Sequence, residues 1–252
     1  MPDRRSCLHL ACLAPLLSFP DIAFGMPSAP VKEENAIADM INAWCSDDKN
    51  KKYLEFSKPG TKGSLKLAPE DLRVREAARF LAAVPRTLTP LDVAKHMIEN
   101  LPENQRMEWP ADRPNDPQPA NPLIIAFFAA THTAPTAGDQ TAWCAAFACW
   151  ALQHASITPE HPHNAGSRAF RTWSSKTTDP QPGDIAVFRS KRMAKKGHVG
   201  FFDGFVDGSK SRIYLVGGNQ SNQINRLAWN LDKPTLAFDS FRTAPGLRKV
   251  MA

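Results

Sequence analysis

The fold is decided by the apolar stretch Thr141-Ala142-Trp143-Cys144-Ala145-Ala146-Phe147-Ala148-Cys149-Trp150-Ala151-Leu152. No Gly or Pro interrupts it as far as His154, and Asp139 or Thr141 has the short oxygen-bearing side chain that caps a first turn. The stretch therefore predicts a helix. Because it is apolar on nearly all sides, we expect this helix to be buried at the centre of the molecule.

Cys144 falls at the N-terminus of the predicted helix. The positive end of the helix dipole and the unpaired N–H groups there favour the thiolate form of a cysteine, and the thiolate is the nucleophile. A small buried thiol without a chemical role is the alternative, since free Cys is among the most buried residue types. The stretch alone leaves both interpretations open.

The composition is that of an ordinary globular protein. The 252 residues are 42% hydrophobic and 22% charged, which suits one large domain, or one domain plus an appendage, with a sizeable core. The formal net charge of +6 favours anionic partners, such as nucleic acid, a membrane surface or bacterial wall polymers. The densest basic run, residues 191–196, has no interleaved aromatic residue, so we interpret it as a solvated loop and predict no nucleic-acid partner.

The cysteine and histidine spacing indicates neither a metal site nor a cofactor. The chain has 5 cysteines, an odd number without a CxxC pair, which argues against a zinc site or a dense disulfide framework. We interpret His161-Pro162-His163 as a loop with two exposed histidines. Cys45 and Cys149 could pair in an oxidising compartment, but their separation in space cannot be deduced from the sequence.

Residues 1–25 resemble a secretory signal peptide. Arg4 and Arg5 precede a short apolar segment, and Ala23-Phe24-Gly25 has the small-x-small pattern of a cleavage site. A signal peptide implies a secreted or periplasmic protein, which is what we expect. A disordered or docked N-terminus is the alternative interpretation of this segment. The segment is too short to span a bilayer, and no other apolar run is long enough, so no membrane-spanning segment is predicted.

The rest of the chain divides into three predicted regions. Residues 26–101 have helical periodicity, with a first helix at 31–44 and further helices that open near Pro69 and Thr89. Residues 102–120 are rich in proline and are interpreted as a connector. The third region, 121–252, contains the central helix and forms the predicted main domain.

The hydrophobic pattern changes to period two after the central helix. Alternation predicts strands at 184–189, 198–205, 212–216, 224–229 and 236–241. Helices followed by an antiparallel meander are typical of the α+β class.

One set of side chains has the types that a cysteine hydrolase needs, namely a thiol, an imidazole base and a polar group that orients the imidazole. Cys144 opens the central helix, His198 opens the second predicted strand and Asn219 follows the third. If these two strands are adjacent and antiparallel, His198 and Asn219 meet at one edge of the sheet. The N-terminus of a packed helix can lie at the same edge. Taken singly, a strand-end histidine and a turn asparagine are ordinary features.

Four motifs together resemble a known family. In chain order they are Trp143-Cys144-Ala145-Ala146-Phe147, Pro182-Gly183-Asp184, Gly197-His198-Val199-Gly200-Phe201 and Gly217-Gly218-Asn219-Gln220-Ser221. They are similar to the papain-like cell-wall hydrolases of the CHAP type (cysteine, histidine-dependent amidohydrolase/peptidase) and the related NlpC type. The resemblance covers about residues 119–245. It implies a papain-like α+β fold at 121–252, with the nucleophile helix packed on an antiparallel sheet of about five strands.

The resemblance also implies roles for individual residues. It carries over Cys144 as the nucleophile, His198 as the base and Asn219 as the residue that orients the imidazole. The third residue varies within the family, so Gln220 is an alternative to Asn219. The Cys144 N–H is the expected first oxyanion donor, and Asp139 or Gln140 is the candidate to position or supply the second.

The function implied is the hydrolysis of amide bonds in peptidoglycan or its peptide fragments through a thioester, by an endopeptidase or an N-acetylmuramoyl-L-alanine amidase. One alternative keeps the fold without the chemistry, as a non-catalytic wall-binding module. Others keep the chemistry, as a hydrolase of a different amide or as an antibacterial toxin. The sequence identifies no scaffold or immunity protein.

Overall fold

A computed structural model describes residues 71–109, 120–135, 137–157 and 160–249. Within these ranges the α-helices are α1 (Leu72–Ala83), α2 (Pro90–Asn100), α3 (Pro122–Phe127) and α4 (Cys144–His154). The strands are β1 (Ser175–Thr177), β2 (Ile185–Ser190), β3 (Gly197–Phe205), β4 (Arg212–Gln220), β5 (Gln223–Asn230) and β6 (Leu236–Thr243). The predicted α+β class is confirmed, and α4, the helix that begins at Cys144, packs on the antiparallel sheet.

The sheet has six strands in the order β1-β6-β2-β3-β4-β5, and all neighbouring strands are antiparallel. The five predicted strands all occur, within a few residues of their predicted ends. The sequence missed β1, because Ser175-Lys176-Thr177 is polar and has no alternation to mark it. This strand exists only through its pairing with the end of β6, where Ser175 lies opposite Thr243.

The sheet curls so that its two ends approach each other. The Phe188 ring on β2 lies 5.2 Å from the Trp229 ring on β5, although two strands separate them in the sheet order. The end of β5 also meets the start of β6, where the Phe238 N–H donates to the Leu231 carbonyl at 2.8 Å. The curled sheet encloses an inner cluster of apolar side chains: Ala186, Phe188, Phe202, Ile213, Leu215, Trp229 and Phe241.

The outer face of the sheet packs on α4, as the apolar stretch predicts. All residues of this helix except Gln153 are buried. The capping prediction is wrong, because Trp143 is the N-cap residue and makes no side-chain cap hydrogen bond. The Thr141 hydroxyl instead accepts from the Ala137 N–H at 2.9 Å. The first turn of α4 is stabilised by burial and not by a polar cap.

The helices α1 and α2 pack into the same hydrophobic core as the sheet and α4. Leu81 and Met97 are buried in the same apolar cluster as α4. The α1 helix begins at Leu72 with Asp71 as its cap, a little after the predicted opening at Pro69. The α2 helix begins at Pro90, close to the predicted opening at Thr89, and Thr89 is its cap. These helices therefore pack on the part of the molecule that carries Cys144.

Several predictions concern segments outside the described residues. They are the signal peptide at 1–25, the helix at 31–44 and any bond of Cys45. The division at residues 101 and 120 likewise stays a prediction. In the part of the chain that the structure describes, no helix is long and apolar enough to cross a membrane.

Candidate active site

Cys144 is the first residue of α4, and its side chain lies against the start of β3. Only 5% of the residue is exposed. Burial raises the pKa of the thiol to about 11, while the N–H groups of Val199, Ala145 and Cys144 itself pull it down. The N–H groups act in the direction that the sequence predicts. Desolvation is the larger effect, so the thiol is neutral at pH 7 in this conformation.

The backbone of His198 lies next to the Cys144 sulfur, but its side chain points elsewhere. The N–H near Sγ is that of Val199, the residue that follows His198 in β3. Val199 packs among the residues around α4, whereas the alternation of β3 sends His198 to the inner face of the curled sheet. There the imidazole stacks on Trp229, with ring centroids 4.6 Å apart and planes at 12°.

The His198 imidazole is buried and neutral. Its Nε2 has no hydrogen-bond partner among the described residues, so no hydrogen bond joins it to Cys144. Burial lowers the pKa of His198 to about 4, contact with the Gln220 side chain opposes this, and the charge of Lys233 lowers it further. The Lys233 ammonium lies 3.3 Å from the centroid of the Trp229 ring, on which His198 also stacks.

The depressed pKa of His198 predicts a loss of stability at acid pH. Between pH 6.5 and about 4 the unfolded chain binds a proton at this imidazole and the folded protein does not. Stability therefore falls as the pH is lowered through this window, by about 3 kcal/mol at its lower end. Urea unfolding at a series of pH values should show this slope, and His198→Asn should reduce it. If stability fell equally steeply with pH in the wild-type and His198→Asn proteins, the pH dependence could not be assigned to His198.

Asn219 and Gln220 differ in what they contact. The β3–β4 pairing extends to Phe201 opposite Val216, and β4 becomes irregular between Gly217 and Gln220, so the predicted meeting of His198 and Asn219 stays a prediction. Asn219 itself has a positive φ of 56° and is half-buried. The Asn219 side chain makes no hydrogen bond with any of the described residues.

Gln220 is the amide that influences the imidazole, although the Gln220 Oε1 and the His198 Nε2 both have no hydrogen-bond partner among the described residues. It is 1% exposed, and its Nε2 donates to the Leu215 carbonyl at 3.2 Å and to the Asn225 carbonyl and Oδ1 at 2.9 Å each. The Asn225 Nδ2 donates back to the Gln220 carbonyl at 2.8 Å. These bonds occupy the amide nitrogen, so the oxygen is the atom available to accept from His198.

Asp139 and Gln140 hold the chain before α4 in place. Asp139 is fully buried, and its Oδ2 accepts from the N–H groups of Trp109 at 3.1 Å and Asn121 at 2.9 Å. The Gln140 Nε2 donates to Asp139 Oδ1 at 3.1 Å. Burial raises the pKa of Asp139, and these hydrogen bonds oppose the shift. These contacts join the turn before α4 to the segments around Trp109 and Asn121, and neither side chain makes a hydrogen bond to Cys144.

Two groups near Cys144 were not predicted from the sequence. One is the Val199 N–H, because strand patterns do not tell which peptide faces a packed helix. The other is Glu108, whose Oε1 accepts from the Trp143 Nε1 at 3.0 Å. Glu108 lies in the predicted connector, where no hydrophobic period or motif marks it.

The histidine loop differs from its prediction. His161 is 5% exposed, and its ring lies 4.1 Å from that of His163, which in turn stacks on His132. Burial lowers the pKa of His161 to about 4. Within the described ranges, no group of three His, Cys, Asp or Glu side chains is arranged to hold a metal ion.

Comparison with known protein families shows a similarity. Residues 136–219, about a third of the chain, match the CHAP domain family. The segment includes Cys144, His198 and Asn219, so the resemblance to CHAP hydrolases is confirmed over this range. No curated protein and no solved structure matches the chain significantly. A CHAP domain implies a peptidoglycan hydrolase, an amidase or a peptidase, in general.

Proposed function

We propose that this protein is a cysteine-dependent peptidoglycan hydrolase that cleaves amide bonds through a thioester on Cys144. The observation that carries the proposal is the thiol at the N-terminus of α4, with the N–H groups of Cys144, Ala145 and Val199 around it, inside the segment that matches the CHAP domain. Such N–H groups can stabilise the negative charge that develops on a carbonyl oxygen during attack.

The proposed reaction is acyl transfer in two steps. The Cys144 sulfur attacks the amide carbon, its proton passes to the His198 imidazole, and the carbonyl oxygen becomes an oxyanion near the helix N-terminus. The imidazolium then protonates the leaving amine, and a thioester remains. Water attacks the thioester and gives a proton to the imidazole, which returns it to the departing Cys144 sulfur, so that the carboxylic acid and the thiol are released.

The two pKa values indicate how the proton moves. A thiol with a pKa of about 11 and an imidazole with a pKa of about 4 coexist as neutral groups at pH 7. Proton transfer from sulfur to nitrogen before substrate binds would therefore be strongly unfavourable. We propose that the transfer accompanies attack, when the developing oxyanion compensates for the charge on the imidazole.

The buried positions imply a closed resting state. Cys144 and His198 are 5% and 6% exposed, and no hydrogen bond joins them. Side chains over the sulfur therefore have to move before a substrate carbonyl can reach it. The start of β3 has to rearrange as well, because the His198 imidazole lies on the inner face of the sheet and α4 packs on the outer face. Gln220, held by Asn225, is the proposed acceptor that keeps the imidazole tautomer, in preference to Asn219.

The proposed substrate indicates where the protein acts. A peptidoglycan hydrolase acts outside the cytoplasm, so we propose a secreted or periplasmic protein whose leader is residues 1–25. The positive net charge of +6 suits a wall rich in carboxylates. A toxin delivered to rival cells would use the same chemistry.

Digestion of purified sacculi tests the function. Wild-type protein should release muropeptides, and mass spectrometry should find one new amine and one new carboxyl group for each bond cut. Release of free stem peptides indicates an amidase, and shortened stems or opened cross-links indicate an endopeptidase. Binding without any product would leave the wall-binding module as the function. Cleavage of a model peptide but not of sacculi would favour a hydrolase of another amide.

A further inference from the structure

We propose that Glu108 is a positioning residue for the Cys144 nucleophile and that it acts through the Trp143 indole. The inference rests on the proposed function and adds a residue upstream of the segment 136–219 that matches the CHAP domain. Its basis is the contact between a buried carboxyl group and the ring of the residue next to the nucleophile.

The Trp143 ring is held from several sides. The residue is fully buried, and its Nε1 donates to Glu108 Oε1 at 3.0 Å. Its ring lies 6.1 Å from that of Phe127, with planes at 29°. Gly218 lies so close that a Cβ there would overlap the indole. Trp143 therefore connects the carboxyl group of Glu108, the helix α3 and the end of β4 next to Asn219.

The backbone of Trp143 sets the start of α4. Its carbonyl accepts from the Phe147 N–H at 2.9 Å, which is the first hydrogen bond of the helix. The peptide after Trp143 carries the Cys144 N–H, one of the three N–H groups near the sulfur. A displacement of the indole would be transmitted directly to this peptide, because no side-chain cap holds the helix start.

Glu108 can act as an anchor because its own backbone is fixed. Its N–H donates to the Asn222 carbonyl at 2.8 Å, in the hairpin that joins β4 to β5. Met107 bridges to Gln223, and the Trp109 N–H donates to Asp139 at 3.1 Å. The segment therefore bonds to the sheet on one side and to the turn before α4 on the other.

The charge state of Glu108 depends on its neighbours. Burial raises its pKa and the charge of Asp139 raises it further, while hydrogen bonds from Trp143 and Gln140 lower it. Either charge state leaves an oxygen that can accept from the indole. The structural requirement is therefore an acceptor at this point, and a neutral amide should largely replace the carboxyl group.

The test uses the full-length protein and the rate of muropeptide release from sacculi. Glu108→Ala should lower kcat about 100-fold with little change in KM, because a displaced nucleophile slows the chemical step more than binding. Glu108→Gln should restore most of the rate. Glu103→Ala is the matched control, since Glu103 is exposed in the same segment, and it should keep the wild-type rate.

A double-mutant cycle separates positioning from general destabilisation. Trp143→Phe removes the indole N–H and keeps a buried ring, so it should lower kcat in the same way. The double variant Glu108→Ala with Trp143→Phe should then lose little more than either single variant. Independent, multiplying losses would overturn the proposal, and so would a Glu108→Ala protein with wild-type kcat. Inactive wild-type protein would instead reject the proposed function.

Discussion

Replacing Cys144 by Ala is expected to lower muropeptide release by more than about 10⁴-fold, which would be seen as loss of activity. The thiol is the one group in the proposed reaction that forms a covalent bond to the substrate, and alanine offers no atom in its place. Cys144→Ser should be similarly inactive, because a hydroxyl with the same burial is a much weaker nucleophile. Release of soluble muropeptides from labelled sacculi measures both variants.

Cys149 provides the matched control for this experiment. It is a second buried cysteine on α4, and its Sγ lies 3.8 Å from the Asn164 carbonyl, away from the start of the helix. Cys149→Ala should retain activity, and circular dichroism should show that all three variants keep the fold. An active Cys144→Ala protein would reject the thioester mechanism. Loss of activity in Cys149→Ala alone would move the nucleophile to the other cysteine.

Replacing His198 by Ala is expected to lower kcat by about 10²–10⁴-fold, the usual contribution of a general acid–base group. The double variant with Cys144→Ala should be no less active than Cys144→Ala alone, because residues that act as one unit do not have additive effects. The pH profile of kcat/KM gives a second readout. Its acid limb should lie near the pKa of about 4 that burial imposes on His198 in the free protein.

The position of that acid limb distinguishes two accounts of the histidine. A limb near 4 means that the buried imidazole is the base in the free protein. A limb well above this value means that opening of the site exposes His198 before substrate binds. A His198→Ala protein with wild-type kcat would reject the histidine as the base and leave a thiol without a proton acceptor.

The helices and strands were largely predictable because each depends on a short-range hydrophobic period. The run from Ala142 to Leu152 has no breaker and no polar face, so burial at the centre was the only stable outcome. Alternation located five strands, and short connections predicted the antiparallel meander from β2 to β5, but they did not predict that β6 returns to pair with β2. The order of the motifs was enough to indicate the CHAP resemblance over residues 136–219.

The site was only partly predictable, because its properties depend on contacts between distant segments. Sequence spacing brought Cys144 near the start of β3, but it could not tell that His198 faces Trp229 and the inner cluster. The curl of the sheet decides this, through side chains far apart in the chain. Glu108 was missed for the same reason, since 35 residues separate it from Trp143.

The sequence by itself determined the α+β class and the central helix, and it indicated a candidate thiol, a candidate imidazole and two candidate amides, because local periodicity and residue type carry that information. Only the tertiary structure decided their chemical state. Burial of Cys144 and His198 sets their pKa values at about 11 and about 4, and burial is a sum over all the segments that exclude water from a group. A helix N-terminus favours a thiolate wherever it occurs, but the strands packed over it determine whether the charged form can exist.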